Sequence, residues 1–250
     1  MKIYGMTDVG KVRSNNQDTF GFCEYDENCC YAVVCDGMGG HAGGNIASET
    51  ATEAIKQVLS DAYEVFGRDR DICKLLESAL KKANDTVFAK SIEEPDLKGM
   101  GTTAVIAFYI DSSMYVAHVG DSRAYMFTEG QLVPVTRDHS VVQEMLDSGE
   151  ITPEEAENHP YKHVITRAIG IVSGVDVDSN KLENYSGETI LLCSDGLTTM
   201  VSLKEIENVL NTEKPEDVCE KLIALANEHG GKDNITVILL VNDSEGGNEA

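Results

Sequence analysis

Short apolar runs at residues 31–35, 114–119, 190–193 and 235–241 are bounded by Gly, Asp or Ser, the pattern of buried strands. Between them lie segments with helical periodicity. Over 45–60 the apolar side of the pattern is Ile46, Thr50, Ala51, Ala54, Ile55, Val58 and Leu59. Over 71–90 it is Ile72, Leu75, Leu76, Ala79, Leu80, Ala83 and Val87. Both are amphipathic helices. The N-terminal third therefore reads strand, strand, then two helices. The middle third is rich in strands, at 102–109, 114–119, 123–127 and 131–135, and the short gaps around Gly130 suggest one antiparallel meander.

The stretch 137–180 is less regular, with a helix near 140–148. Thr152-Pro153-Glu154-Glu155 then has the form of a capping box with Pro at the first helical position. Ser202-Leu203-Lys204-Glu205 is a second capping box, with Val201 and Ile206 spaced for a hydrophobic staple. Pro215 opens a last amphipathic helix through Val218, Leu222, Leu225 and Ala226, closing near Gly230-Gly231. Helices fall in pairs, early and late, with strands between. That order favours a mixed sheet core with helices outside, in an α+β fold, over a simple alternation of strand and helix. No repeat or linker divides the sequence, and one domain over 1–241 with a frayed tail at 242–250 is expected.

Composition narrows the function classes. Apolar residues are 42% of 250, ordinary for a globular protein, and no apolar stretch is long enough to span a bilayer. The first eight residues lack a signal-peptide layout. The seven cysteines are odd in number and contain no Cys-x-x-Cys pair, which argues against a thiolate zinc site or a disulfide scaffold and for reducing cytoplasm. The net charge of −23 repels nucleic acid and anionic membranes. An acidic chain can still take a phosphorylated substrate where metal ions reverse the sign locally.

The aspartates supply the candidate chemistry. Asp36, Asp121 and Asp195 each follow an apolar run, and Asp233 precedes one. Any one of them reads equally well as a turn residue. Four carboxylates converging from strand ends would repel one another unless they bound protons or hard cations, which points to a site with more than one Mg²⁺ or Mn²⁺. Arg13, in Arg13-Ser-Asn-Asn-Gln-Asp18, offers a planar fork for phosphate oxygens, or a plain ion pair with Asp18. Asp36-Gly-Met-Gly-Gly-His41 allows close approach of a ligand or an inward-turned carbonyl, but lacks the lysine and spacing of a P-loop.

These segments give the chain a resemblance to the bacterial metal-dependent, type 2C-like serine/threonine protein phosphatases. Gly99-Met-Gly-Thr-Thr103, Val119-Gly-Asp-Ser-Arg123, Arg137-Asp-His-Ser140, Ile165-Thr-Arg-Ala-Ile-Gly170, Cys193-Ser-Asp-Gly-Leu197 and Lys232-Asp-Asn-Ile-Thr-Val237 continue it in the family's order over about 1–241.

The resemblance implies a four-layer α-β-β-α sandwich, two mostly antiparallel sheets flanked by paired helices. It implies two metal ions, Mn²⁺ or Mg²⁺, bridged by Asp36, with the Gly37 carbonyl on one and Asp195 and Asp233 on the other. Asp121 matches the position used with Asp195 for a third, weaker ion. Asp18 matches an acidic residue that orients the attacking water without binding metal. Residues 137–180 match a mobile flap. The implied reaction is direct attack of water on the phosphorus of phosphoserine or phosphothreonine in proteins, with Arg13 on the phosphoryl oxygens. His41 is the candidate proton donor to the leaving alkoxide. His139, His159 and His163 are read as flap residues near substrate, not as catalysts.

Gln17 stands where many members are acidic, and Met38 where eukaryotic members carry the histidine. The expected partners are phosphoproteins made by an opposing Ser/Thr kinase, and the expected state is a monomer. The alternative, a non-catalytic phosphoprotein-binding relative, predicts loss of a metal aspartate, and every one is present.

Overall fold

The structure, a computed structural model, describes residues 1–66, 71–183 and 185–242, the side chains of 40–42, 65 and 66 excepted. Three strands, not two, open the chain: β1 (Lys2–Asp8), β2 (Asp18–Asp26) and β3 (Cys29–Met38). Two long helices follow, α1 (Gly40–Phe66) and α2 (Ile72–Glu93), then β4 (Gly101–Thr102), β5 (Ala104–Ile110), β6 (Ser113–Val119), β7 (Arg123–Thr128) and β8 (Gln131–Pro134). The last third holds α3 (Val141–Ser148), α4 (Pro153–Glu157), β9 (Asp178–Lys181), β10 (Thr189–Cys193), α5 (Asp195–Thr198), α6 (Leu203–Thr212), α7 (Pro215–Glu228) and β11 (Ile235–Val241).

The strands form two sheets, ordered β1-β11-β10-β7-β8 and β2-β3-β5-β6-β9, with β4 added beside β3. Every pairing is antiparallel. The single meander expected over 102–135 is therefore split. β5 and β6 pair in one sheet, β7 and β8 in the other, and Gly120-Asp121-Ser122 carries the chain across. Strand gaps alone do not reveal such a crossing, because a tight turn within a sheet and a tight step between sheets look alike in sequence.

Alternation along β3 explains its unbroken apolar run. Tyr31, Val33 and Cys35 pack toward α1 and α2, while Cys30, Ala32 and Val34 meet Ile190, Leu192, Ile238 and Leu240 of the facing sheet. In β11, Ile235, Val237 and Leu239 face α6 and α7. Successive strand residues point to opposite faces, so a strand covered on both faces must be apolar at every position. The four layers are thus helices, sheet, sheet, helices.

The expected caps are present. Thr152 and Ser202 both form full capping boxes, with Glu155 and Glu205 reaching back. Val201 and Ile206 are buried in one cluster, as a staple requires. The 137–180 stretch is more tied down than its sequence suggests. Its far end is β9, paired with β6, and bridges join Thr102 to Ile169 and Ser140 to Ile165. Among the described residues no helix is long and apolar enough to cross a membrane. Residues 243–250 of the expected tail lie outside the described residues.

Candidate active site

Strand register places the chemistry at one end of the sandwich. Asp18, first residue of β2, pairs with Asp36 of β3. Cys193, last of β10, pairs with both Arg123 and Val237, so β7 and β11 begin where β10 stops. β6 ends opposite Ala104, the start of β5. The turns carrying Asp121, Asp195 and Asp233 consequently open on the same side as Asp36.

Those four aspartates, with Gly37 and Arg13, line one cleft of about 940 Å³. Asp36 and Asp195 are neighbours in this cleft. Burial pushes the Asp36 carboxyl well above its ordinary range, and the charges of Asp18, Asp195, Asp121 and Asp233 push it further. Asp195 is raised by burial and then by Asp233. Asp121 is pushed up to about 7, by burial first and Asp195 next. Carboxylates so crowded and desolvated hold protons, or give them up to a cation.

Asp18 lies beneath, 7% exposed. Its Oδ2 accepts from Ser194 Oγ and Thr236 Oγ1, each at 2.7 Å. Burial nevertheless raises its pKa to about 6 against those two bonds. Its Oδ1 is buried and has no hydrogen-bond partner among the described residues. A buried carboxylate oxygen left unpartnered is costly unless something absent from the protein completes it. This cradle of hard oxygen donors with an unsatisfied carboxylate beside it fits divalent cations such as Mg²⁺ or Mn²⁺.

Gly37 is held where no side chain could be. A Cβ there would lie 2.1 Å from Gly44 O and 2.6 Å from Gln17 O. Arg13 Nη2 donates to Asp233 Oδ2 at 2.7 Å, not to Asp18, so the sequence-local ion pair is not the one formed. The guanidinium stays half-exposed at the cleft rim. The backbone of His41 lies in the first turn of α1, but its side chain lies outside the described residues. Of the histidines expected in a flap, His163 lines the cleft, while His139 is buried in a separate network.

Several residues whose roles the sequence did not announce hold this site. Thr103 accepts the Asp36 N–H on Oγ1 at 3.0 Å and is 2.6 Å from Ser122 Oγ, linking the Asp36 and Asp121 turns. Asn234 donates to Val9 O and Asn15 O, both at 2.9 Å, and accepts from Gln17 N–H at 2.8 Å. One buried amide thereby fastens the Arg13 loop to the Asp233 turn. Thr103, Ser194, Asn234 and Thr236 all fall inside the quoted motifs, which is the only signal that could have found them.

The model of the protein phosphatase 2C family matches residues 10–239. The chain belongs to that family. The serine/threonine phosphatase stp of Listeria monocytogenes serotype 4b is 39% identical over 238 residues, covering 95% of this chain and 94% of the relative. A solved serine/threonine phosphatase of S. agalactiae superposes with a TM-score of 0.87 at 36% identity, covering 96% and 99% of the two chains. The catalytic domain of the serine/threonine protein phosphatase PstP in complex with two manganese ions gives 0.80 at 33% identity, covering 95% and 96%. As a member of the protein phosphatase 2C family, the chain is a metal-dependent protein-serine/threonine phosphatase. The non-catalytic alternative is not favoured, since each aspartate expected as a metal ligand is present and all four meet in one cleft.

Proposed function

We propose that Asp36, the Gly37 carbonyl, Asp195 and Asp233 hold two divalent ions, that Asp121 with Asp195 holds a third, weaker one, and that residues 1–241 work as one catalytic domain. The observation that carries this reading is the convergence of the four aspartates in a single cleft, with three carboxyls raised by burial and mutual repulsion. Bound Mn²⁺ or Mg²⁺ would supply charge neutralisation and a water acidic enough to attack at neutral pH.

The chain's own residues do the rest. Asp18 Oδ1, with no hydrogen-bond partner among the described residues and aimed by the bonds of Ser194 and Thr236 to its other oxygen, accepts a hydrogen bond from the attacking water and orients it. Arg13 swings from Asp233 to the phosphoryl oxygens and offsets the charge that builds there. His41 gives a proton to the serine or threonine oxygen as it leaves. Gln17, neutral where relatives of the resemblance are acidic, subtracts one negative charge from the rim.

Substrates are phosphoproteins made by an opposing Ser/Thr kinase, met by a monomeric enzyme whose 137–180 segment acts as a flap over the cleft. A cytoplasmic setting is supported by seven free cysteines, with the buried thiols of Cys30, Cys35, Cys193 and Cys219 each pushed up to about 12 by burial and so chemically quiet.

The test is phosphate release by the metal-stripped protein from phosphothreonine and phosphotyrosine peptides, before and after adding Mn²⁺. Release from phosphothreonine only after metal supports the reading. Release without metal, or from neither peptide, contradicts it.

A further inference from the structure

Arg137-Asp138-His139-Ser140 leads from the end of β8 into α3, and its last three residues are each bound to a different element. Asp138 takes a two-point bond from Arg123 of β7, at 2.8 and 2.6 Å. Ser140 caps α3 through Gln143 N–H. His139 closes on a single residue of the Asp121 turn. Its backbone N–H donates to Gly120 O at 3.0 Å, and its Nδ1 accepts from Gly120 N–H at 3.1 Å. Gly120 has φ +105, and a Cβ there would lie 2.6 Å from the Thr103 side chain. The turn is therefore pressed between Thr103 on one side and His139 on the other.

Because Nδ1 accepts, the imidazole proton resides on Nε2. That nitrogen is 3.4 Å from Asp178 Oδ2, and Arg167 Nη1 donates to Asp178 Oδ1 at 2.8 Å. His118 stacks on His139 at 4.5 Å, its Nε2 2.8 Å from Arg137 O. Burial lowers the pKa of both imidazoles, which keeps them neutral. His118, His139 and Asp178 have the spacing of a metal-ligand set, but the Arg167 guanidinium, 3.2 Å from His139 Nε2, already supplies the positive charge at that point. The geometry is a chain of contacts that runs from Gly120 through His139 to Asp178 and Arg167. Its far end, Asp178, begins β9 and closes the 137–180 segment, and His139 O also accepts Thr166 N–H at 2.8 Å.

We propose that His139 is a positioning residue for Asp121. By gripping both polar groups of Gly120 it fixes the direction in which the next residue presents its carboxylate toward Asp195. Through Asp178, Arg167 and Thr166 it makes that placement depend on how the 137–180 segment is seated. The inference rests on the reading of Asp121 as the ligand of a weaker third ion.

The experiment is calorimetric titration of the full chain with Mn²⁺, for the unaltered protein and for Asp121→Asn, His139→Ala, His139→Asn and His139→Gln, with thermal unfolding of each. Asp121→Asn should abolish the weaker binding event. His139→Ala should weaken it about tenfold, as loss of a group behind a ligand does, and leave the two tighter ions unchanged. His139→Asn keeps an acceptor where Nδ1 stood and should restore most of the loss. His139→Gln keeps a donor toward Asp178 but no acceptor for Gly120, and should not.

A weaker event unchanged in His139→Ala but lost in Asp121→Asn overturns the proposal. So does equal weakening of all ions with no rescue by Asn, which would mark His139 as merely structural. Should His139→Ala fail to fold, the order of Asn and Gln decides, and Gln at or above Asn counts against it. If no weaker event exists, or Asp121→Asn keeps it, the third-ion reading has failed and takes this inference with it.

Discussion

Asp18 and Asp36 stand directly opposite each other across the β2–β3 ladder. Directly opposed residues of an antiparallel pair share one face of the sheet, so two carboxylates are fixed side by side at the sandwich end. Like charges so placed are destabilising unless a cation or a proton intervenes. The fold thus stores repulsion at the point where the reaction needs a cation.

That repulsion sets a pH dependence. An unfolded aspartate titrates near 3.9, whereas Asp18 and Asp121 titrate at about 6 and about 7 in the fold. Raised folded values mean the folded chain binds more protons than the unfolded one. The associated stability is complete below about pH 4 and lost as pH rises through 6 to 7. For Asp18 alone the loss is on the order of 3 kcal/mol. The melting temperature of metal-free protein should fall between pH 5 and 8, and saturating Mg²⁺ should flatten the fall. A metal-free melting temperature that holds steady or rises across that window would count against the crowded-carboxylate account.

Arg13 separates activity from stability. Its ion pair with Asp233 is half-exposed, and such pairs contribute less than about 1 kcal/mol. Arg13→Ala should leave urea unfolding nearly unchanged while lowering kcat about a hundredfold, the scale of a lost transition-state donor. A kcat within a few-fold of the unaltered enzyme would remove Arg13 from the phosphoryl group.

Asn234 should behave in the opposite way. Asn234→Ala removes the amide that bonds Val9 O, Asn15 O and Gln17 N–H and should cost about 2–4 kcal/mol in chemical denaturation. A cost below about 1 kcal/mol would show that water replaces the amide and that the Arg13 loop is not fastened there.

For His41 the leaving group is the discriminator. His41→Ala should sharply slow hydrolysis of a phosphoserine peptide and hardly affect p-nitrophenyl phosphate, whose leaving group needs no proton. Equal losses on the two substrates would assign His41 a structural role.

Much of this was legible in the sequence because both-faced burial writes itself into strands as continuous apolar runs, and caps write themselves as Ser or Thr followed by Glu. Convergence of Asp36, Asp121, Asp195 and Asp233 was foreseeable from their places at strand ends. What stayed hidden depends on long-range register. The split of 102–135 between two sheets, the pairing of β9 with β6, and the choice of Asp233 over Asp18 as the partner of Arg13 all require knowing which strand lies beside which. The supporting side chains were hidden for a related reason. Membership in a motif marks Thr103, Asn234 and His139 but says nothing of what they hold, because their partners lie up to 225 residues away.

The most direct measurement is Mn²⁺ binding and phosphothreonine-peptide turnover on Asp36→Asn beside the unaltered chain, with circular dichroism to check the fold. Two tightly bound ions are expected per unaltered chain, and in the variant a folded protein that has lost that binding and all measurable turnover. A folded Asp36→Asn chain that still binds two ions, or still releases phosphate at a near-normal rate, would contradict it.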